Sequence, residues 1–218
     1  ATGSALLGLS HGASGIAWGL ADASHELGCA VPEAVRGAMA WEDARFVERA
    51  CNWPDLRPTV MDRCGLHAWC HGSPGIGLAR VALDDGAGVT RALAAVDAAA
   101  LPDDPTPCHG VGGHVDLLLE AWAAGHRPQG LDQARALGTA CLEGLGPAPS
   151  RWPGGLEGRC SPGLMVGIAG VLAWSCRLVD PRLPTALRPD FERRVPQAGP
   201  ALRRGQDLHA PVGRVGVA

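Results

Sequence analysis

Gly72-Ser73-Pro74-Gly75 runs directly into Ile76-Gly77-Leu78-Ala79. It is a G-x-x-G turn feeding an apolar run. Three other stretches repeat it. Gly12-Ala13-Ser14-Gly15 leads into Ile16-Ala17-Trp18-Gly19-Leu20. Gly110-Val111-Gly112-Gly113 leads into His114-Val115-Asp116-Leu117-Leu118-Leu119, and Gly167-Ile168-Ala169-Gly170 into Val171-Leu172-Ala173-Trp174. Glycines allow a tight turn and close approach of a neighbour. The apolar run after each predicts a helix buried on most of its surface.

The turns start at Gly12, Gly72, Gly110 and Gly167, at intervals of 60, 38 and 57 residues. Each interval has room for a second, more polar helix. Pro32 to Ala50, Gly88 to Ala100 and Leu131 to Leu145 read that way. In the first, Glu33, Arg36, Glu42, Arg45 and Arg49 are interspersed with Val35, Met39, Phe46 and Ala50, the pattern of a surface helix. Alternating inner and outer helices predict an all-α fold, an α/α barrel or toroid, whose repeats bury a core only when neighbours stack. The glycine turns would then converge on a central cavity. Apolar side chains should be exposed at any seam that lacks a neighbouring repeat.

Composition agrees with helices. Ala and Leu are plentiful, β-branched runs are few, and seven Trp with two Phe are the bulky aromatics. Charged residues are 19% and the net charge is -3, so no basic field for nucleic acid exists. No uncharged apolar run reaches the length of a membrane span. No secretory leader opens the chain, so the eight Cys read as intracellular thiols rather than a disulfide framework, and a cytoplasmic location is expected. The chain begins Ala1-Thr2-Gly3-Ser4 without Met and reads as a fragment or a processed chain. Residues 1–184 are expected to form the folded domain and 185–218 a poorly ordered Pro- and Arg-containing tail. Loops span Asn52 to Gly65, Leu101 to Pro107 and Gly146 to Pro162.

The chemistry gathers where Cys-His pairs run into glycine: Cys70-His71-Gly72 and Cys108-His109-Gly110. Thiolate and imidazole are ligands zinc prefers, and a catalytic zinc keeps three protein ligands and one open position. Cys70, Cys108 and His109 can supply such a set, against the alternative that both Cys are buried apolar thiols. A local alternative is Cys64-x2-His67-x2-Cys70 with His71, although it lacks the paired short spacings of structural zinc modules. His25-Glu26 has no second His at zincin spacing. Gly8-Leu9-Ser10-His11-Gly12 matches G-x-S-x-G, but no core strand precedes it. His11 stands just before a turn glycine, as His71 and His109 do. An imidazole beside a metal suits proton transfer near pH 7.

Taken together, these motifs resemble the lanthionine synthetase C-like family, most closely the C-terminal cyclase domain of class II lanthipeptide synthetases. The resemblance is carried by Ser10-His11-Gly12-Ala13-Ser14-Gly15-Ile16-Ala17, Asn52-Trp53-Pro54-Asp55-Leu56-Arg57 and Trp69-Cys70-His71-Gly72-Ser73-Pro74-Gly75-Ile76-Gly77-Leu78-Ala79-Arg80. Cys108-His109-Gly110 and Pro162 to Gly170 continue it in the family's order, so it runs from about Leu7 to Pro184. It implies an α/α toroid with central zinc, ligands on Cys70, Cys108 and His109, the active-site histidine on His11, and His71 lining the site without binding metal. It further implies a precursor peptide as substrate, thioether ring closure between a peptide Cys and dehydroalanine or dehydrobutyrine, and an upstream dehydratase region or partner. There are two departures. The family's first half, with an active-site aspartate, has no counterpart here, and the arginine found four residues before the first zinc Cys in stand-alone cyclases is Leu66. Two rival classes are a non-catalytic half-toroid that binds zinc or peptide, and a different zinc-dependent thiol-alkylating transferase.

Overall fold

Each predicted turn caps a helix. The computed structural model describes residues 5–62, 64–153 and 161–187. Gly12, Gly72, Gly110 and Gly167 are the N-cap residues of α1 (Ala13–Glu26), α3 (Ser73–Ala82), α5 (Val111–Ala123) and α7 (Ile168–Val179). The polar helices alternate with them: α2 (Glu33–Asp43), α4 (Gly86–Ala98) and α6 (Gly130–Leu145). No β-strand occurs among the described residues, which carry only two isolated bridges. The fold is an α/α toroid architecture, seen here as an arc of inner and outer helices.

The glycine spacing has a steric cause. A Cβ on Gly72, Gly110 or Gly167 would lie within 2.4 Å of the carbonyl oxygen six residues earlier, on Leu66, Asp104 and Ser161. The second glycine repeats the contact: Gly15, Gly75 and Gly170 each face such an oxygen within 2.0 Å, on Leu9, Trp69 and Leu164. The chain folds back over its own helix entry so tightly that no side chain fits at either position.

The inner helices stack in chain order. α1 packs on α2 and α3, α3 on α4 and α5, and α5 on α6 and α7. Ile76 and Leu78 from α3, Val89, Leu93 and Val96 from α4, Val115, Leu117 and Leu119 from α5, and Val171 and Trp174 from α7 form one core. Small residues bring the helices close: a Cβ on Gly77 would meet Leu117 at 2.7 Å, and one on Gly138 would meet Leu178 at 2.5 Å.

α3 and α5 are buried nearly all round, as expected of inner helices. α1 and α7 are not. Ile16 is 62% exposed on α1 and Leu172 56% on α7. Among the described residues these two helices end the arc, each with an inner neighbour on one side only, and their exposed apolar side chains match the expected seams. The Pro32–Ala50 helix is shorter than expected. It stops at Asp43, Arg45 Nη1 donates to the Trp41 carbonyl at 2.7 Å, and the chain turns through Cys51 at φ +46°. The expected tail begins with packed residues. Leu187 is buried in the core, Thr185 Oγ1 donates to Asp116 at 2.8 Å, and Trp69 Nε1 donates to the Leu187 carbonyl at 3.3 Å. The remainder of that tail, from residue 188, lies outside the described residues.

Candidate metal centre

Backbone hydrogen bonds stitch the four glycine turns side by side. Ser10 N donates to the Cys70 carbonyl at 3.2 Å, Trp69 N to the Cys108 carbonyl at 3.0 Å, and Cys108 N to the Met165 carbonyl at 2.8 Å. Turns far apart in sequence thus become neighbours, one bond to the next. The segment before Cys70 is held by Asn52, fully buried, whose Nδ2 donates to the carbonyls of Cys64 at 2.9 Å and Leu66 at 3.0 Å.

This stitching brings together one ligand atom each from Cys70, Cys108 and His109, all within 4.8 Å of one another. It is the only such group of three or more among the described residues. Both thiols are buried and the imidazole is half-buried. Cys108 Sγ lies 3.8 Å from His109 Nε2. The local alternative is not assembled. His67 Nδ1 lies 2.9 Å from Ser73 Oγ instead, and Cys64 joins no cluster. No strand leads to Ser10, so the nucleophile-elbow reading has no support. Arg63 lies outside the described residues.

The trio is electrostatically coupled. The hydrogen bond from Cys108 pulls the Cys70 thiol down to about 4 against the opposing effect of burial, with His109 assisting. Cys108 moves the other way, because a thiolate beside it and burial both favour its protonated form. His109 is raised above the ordinary imidazole range by its bond to Cys70. These shifts favour a thiolate at Cys70, a thiol at Cys108 and positive charge at His109. Two soft sulfurs and an imidazole, on turns hydrogen-bonded to one another, are a donor set that fits a zinc ion.

His71 follows Cys70 in the chain, and the His11 ring lies beside it. The His11 and His71 ring centroids are 5.3 Å apart, tilted by 30°. His11 is exposed, with Nε2 3.2 Å from Ser10 Oγ. His71 is buried, and its Nε2 has no hydrogen-bond partner among the described residues. Burial pushes His71 below the ordinary imidazole range. Asp55 and Arg57 stand close by, a pair given no role by the sequence reading although both lie in a quoted motif. Arg57 Nη2 and Nε bind Asp55 Oδ2 at 2.5 and 2.9 Å. Burial raises the Asp55 carboxyl, but the Arg57 bonds outweigh it and hold it below the usual carboxylate range. The negative field of Asp55 reaches His71, and the positive field of Arg57 reaches Cys70. The Asp-x-Arg spacing was the one available signal.

A helical arc with its glycine turns gathered around a Cys-Cys-His cluster defines an α/α toroid with a candidate metal site. The lanthionine synthetase C-like protein family matches residues 1–190. The chain belongs to that family. Among solved structures it is similar to nisin cyclase, with a TM-score of 0.56 and 20% identity over 81% of this chain and 47% of that one. It thus spans about half the length of nisin cyclase. No curated protein matches the chain. No helix among the described residues is long and apolar enough to cross a membrane.

Proposed function

We propose that the chain is the zinc-bearing part of a lanthipeptide cyclase, closing thioether rings between a peptide cysteine and a dehydroalanine or dehydrobutyrine. The observation that carries this reading is the convergence of Cys70, Cys108 and His109 within 4.8 Å, next to His71, whose ring lies 5.3 Å from that of His11. Cys70, Cys108 and His109 would hold the metal. Zinc bound there supplies the Lewis acidity that keeps a peptide thiol ionised near neutral pH.

The chain's own residues do the rest. Cys70 and Cys108 bring two negative ligands, so charge donated by the protein leaves a peptide sulfur more nucleophilic. As that sulfur bonds to the β-carbon of the dehydro residue, the carbon–carbon π bond breaks and its electron pair moves into an enolate. His11, as imidazolium, delivers the proton to the α-carbon and leaves as neutral imidazole. Its exposure lets it regain a proton from solvent. Asp55 favours positive charge on His71, and Arg57 favours negative charge at Cys70. The substrate would be a dehydrated precursor peptide, the class II type of enzyme, with an upstream dehydratase region or partner, in the cytoplasm. A second reading is a half-toroid that binds zinc or peptide without turnover. Its support is that the chain spans 47% of nisin cyclase.

Two substitutions in the full-length protein test the assignment. His11→Asn should retain one zinc per chain and slow ring closure by about 10²–10⁴-fold, the usual contribution of a positioned proton donor. Cys108→Ala should lose zinc and ring closure together. Zinc stoichiometry and cyclisation of a dehydrated, cysteine-containing peptide decide it. Loss of zinc from the His11 variant would make His11 a ligand, and a normal rate would leave it only a turn residue.

A further inference from the structure

One carboxylate on an outer helix grips both ends of the turn that carries His11. Glu42, on α2, has no exposed surface. Its Oε1 accepts from Gly8 N at 3.0 Å, and its Oε2 accepts from Ser14 Oγ at 2.5 Å. Gly8 lies three residues before His11 and Ser14 three residues after it. The same Oε2 accepts from Arg80 Nη2 at 3.0 Å, and Arg80 is on α3, whose N-cap follows Cys70-His71. The far side of the turn rests on Cys70: a Cβ on Gly8 would lie 2.8 Å from the Cys70 carbonyl oxygen. The turn is therefore clamped between Glu42 and the first metal-site cysteine.

Charge balance does not require Glu42. Arg80 also pairs with Asp43 at 3.2 Å and Asp85 at 2.9 Å. A buried ion pair is weak evidence for stability, since well-packed apolar groups often do as well. The group that has no substitute partner is the His11 turn: Gly8 N and Ser14 Oγ each use Glu42. We propose that Glu42 is a positioning residue that holds His11 in register with the Cys70 side of the site. The proposal rests on the reading of His11 as the proton donor.

A double-mutant cycle tests it in the full-length protein, loaded with zinc and given a dehydrated, cysteine-containing peptide. Glu42→Gln should keep its zinc and its KM and lower kcat by about 10- to 100-fold, the usual cost of a small misplacement of a reacting group. In the His11→Asn background the same change should slow closure no further, since residues acting as one unit are not additive. Equal slowing in both backgrounds, or zinc loss from Glu42→Gln, overturns the proposal while leaving the role of His11 intact. A normal rate for His11→Asn alone removes both readings. Ser14→Ala, which deletes one of the two grips and keeps the ion pair, runs through the same cycle if Glu42→Gln does not fold. Its slowing should again vanish in the His11→Asn background; equal slowing in both, or none in either, overturns the proposal.

Discussion

At the scale of residues, glycine carries the architecture, and it does so by steric exclusion. Glycine inside a helix normally costs about 0.5–1 kcal/mol relative to alanine. Gly19 on α1 obeys that rule, since a Cβ there meets nothing within 4 Å. Gly170 on α7 does not, because its Cβ would lie 1.9 Å from the Leu164 carbonyl and 2.5 Å from Pro107. Gly19→Ala should therefore stabilise by up to about 1 kcal/mol, and Gly170→Ala should destabilise by about 1–3 kcal/mol through overpacking. Urea unfolding of the two variants gives opposite signs if the turns are as tight as described. The glycine pattern was legible in the sequence because it repeats. Glu42 was read there only as one charge on a surface helix, because partners 28 to 38 residues away leave no local mark.

At the scale of elements, the segment before α3 is pinned to α5 by a histidine pair. His114 Nε2 donates to the His67 carbonyl at 2.8 Å. Burial, with His114 nearby, pushes His67 down to about 4, and burial also lowers His114. Both are neutral in the fold. As pH falls below the ordinary value of 6.5, the unfolded chain takes up protons that the folded chain refuses. The His67 contribution to stability is thus full above pH 6.5 and falls away toward about 4, and that of His114 declines in the same direction, each by at most about 1.4 kcal/mol per pH unit. Denaturation of the metal-free protein from pH 7 to 4 should show this decline, and His114→Gln should flatten it. A slope unchanged in that variant would show that His114 titrates alike in both states.

At the scale of the molecule, the arc ends in two apolar faces. Ile16 and Leu20 stand out on α1, and Leu172 and Val179 on α7. Exposed apolar patches drive association. The 218-residue chain should form concentration-dependent oligomers in sedimentation velocity, and Ile16→Lys with Leu172→Lys should shift it toward monomer. A monomer at every concentration, indifferent to these changes, contradicts the exposed-seam account. The helical class, the four capped inner helices and the paired cysteine-histidine turns were legible from the residues alone, because apolar period, glycine spacing and the Cys-His-Gly motif are local properties. Helix packing selected which of the rival cysteine sets converges, set Asp55 and Arg57 near it, and gave Glu42 its grip on the His11 turn. Those facts depend on hydrogen bonds between turns tens of residues apart, and such bonds exist only once the helices have packed.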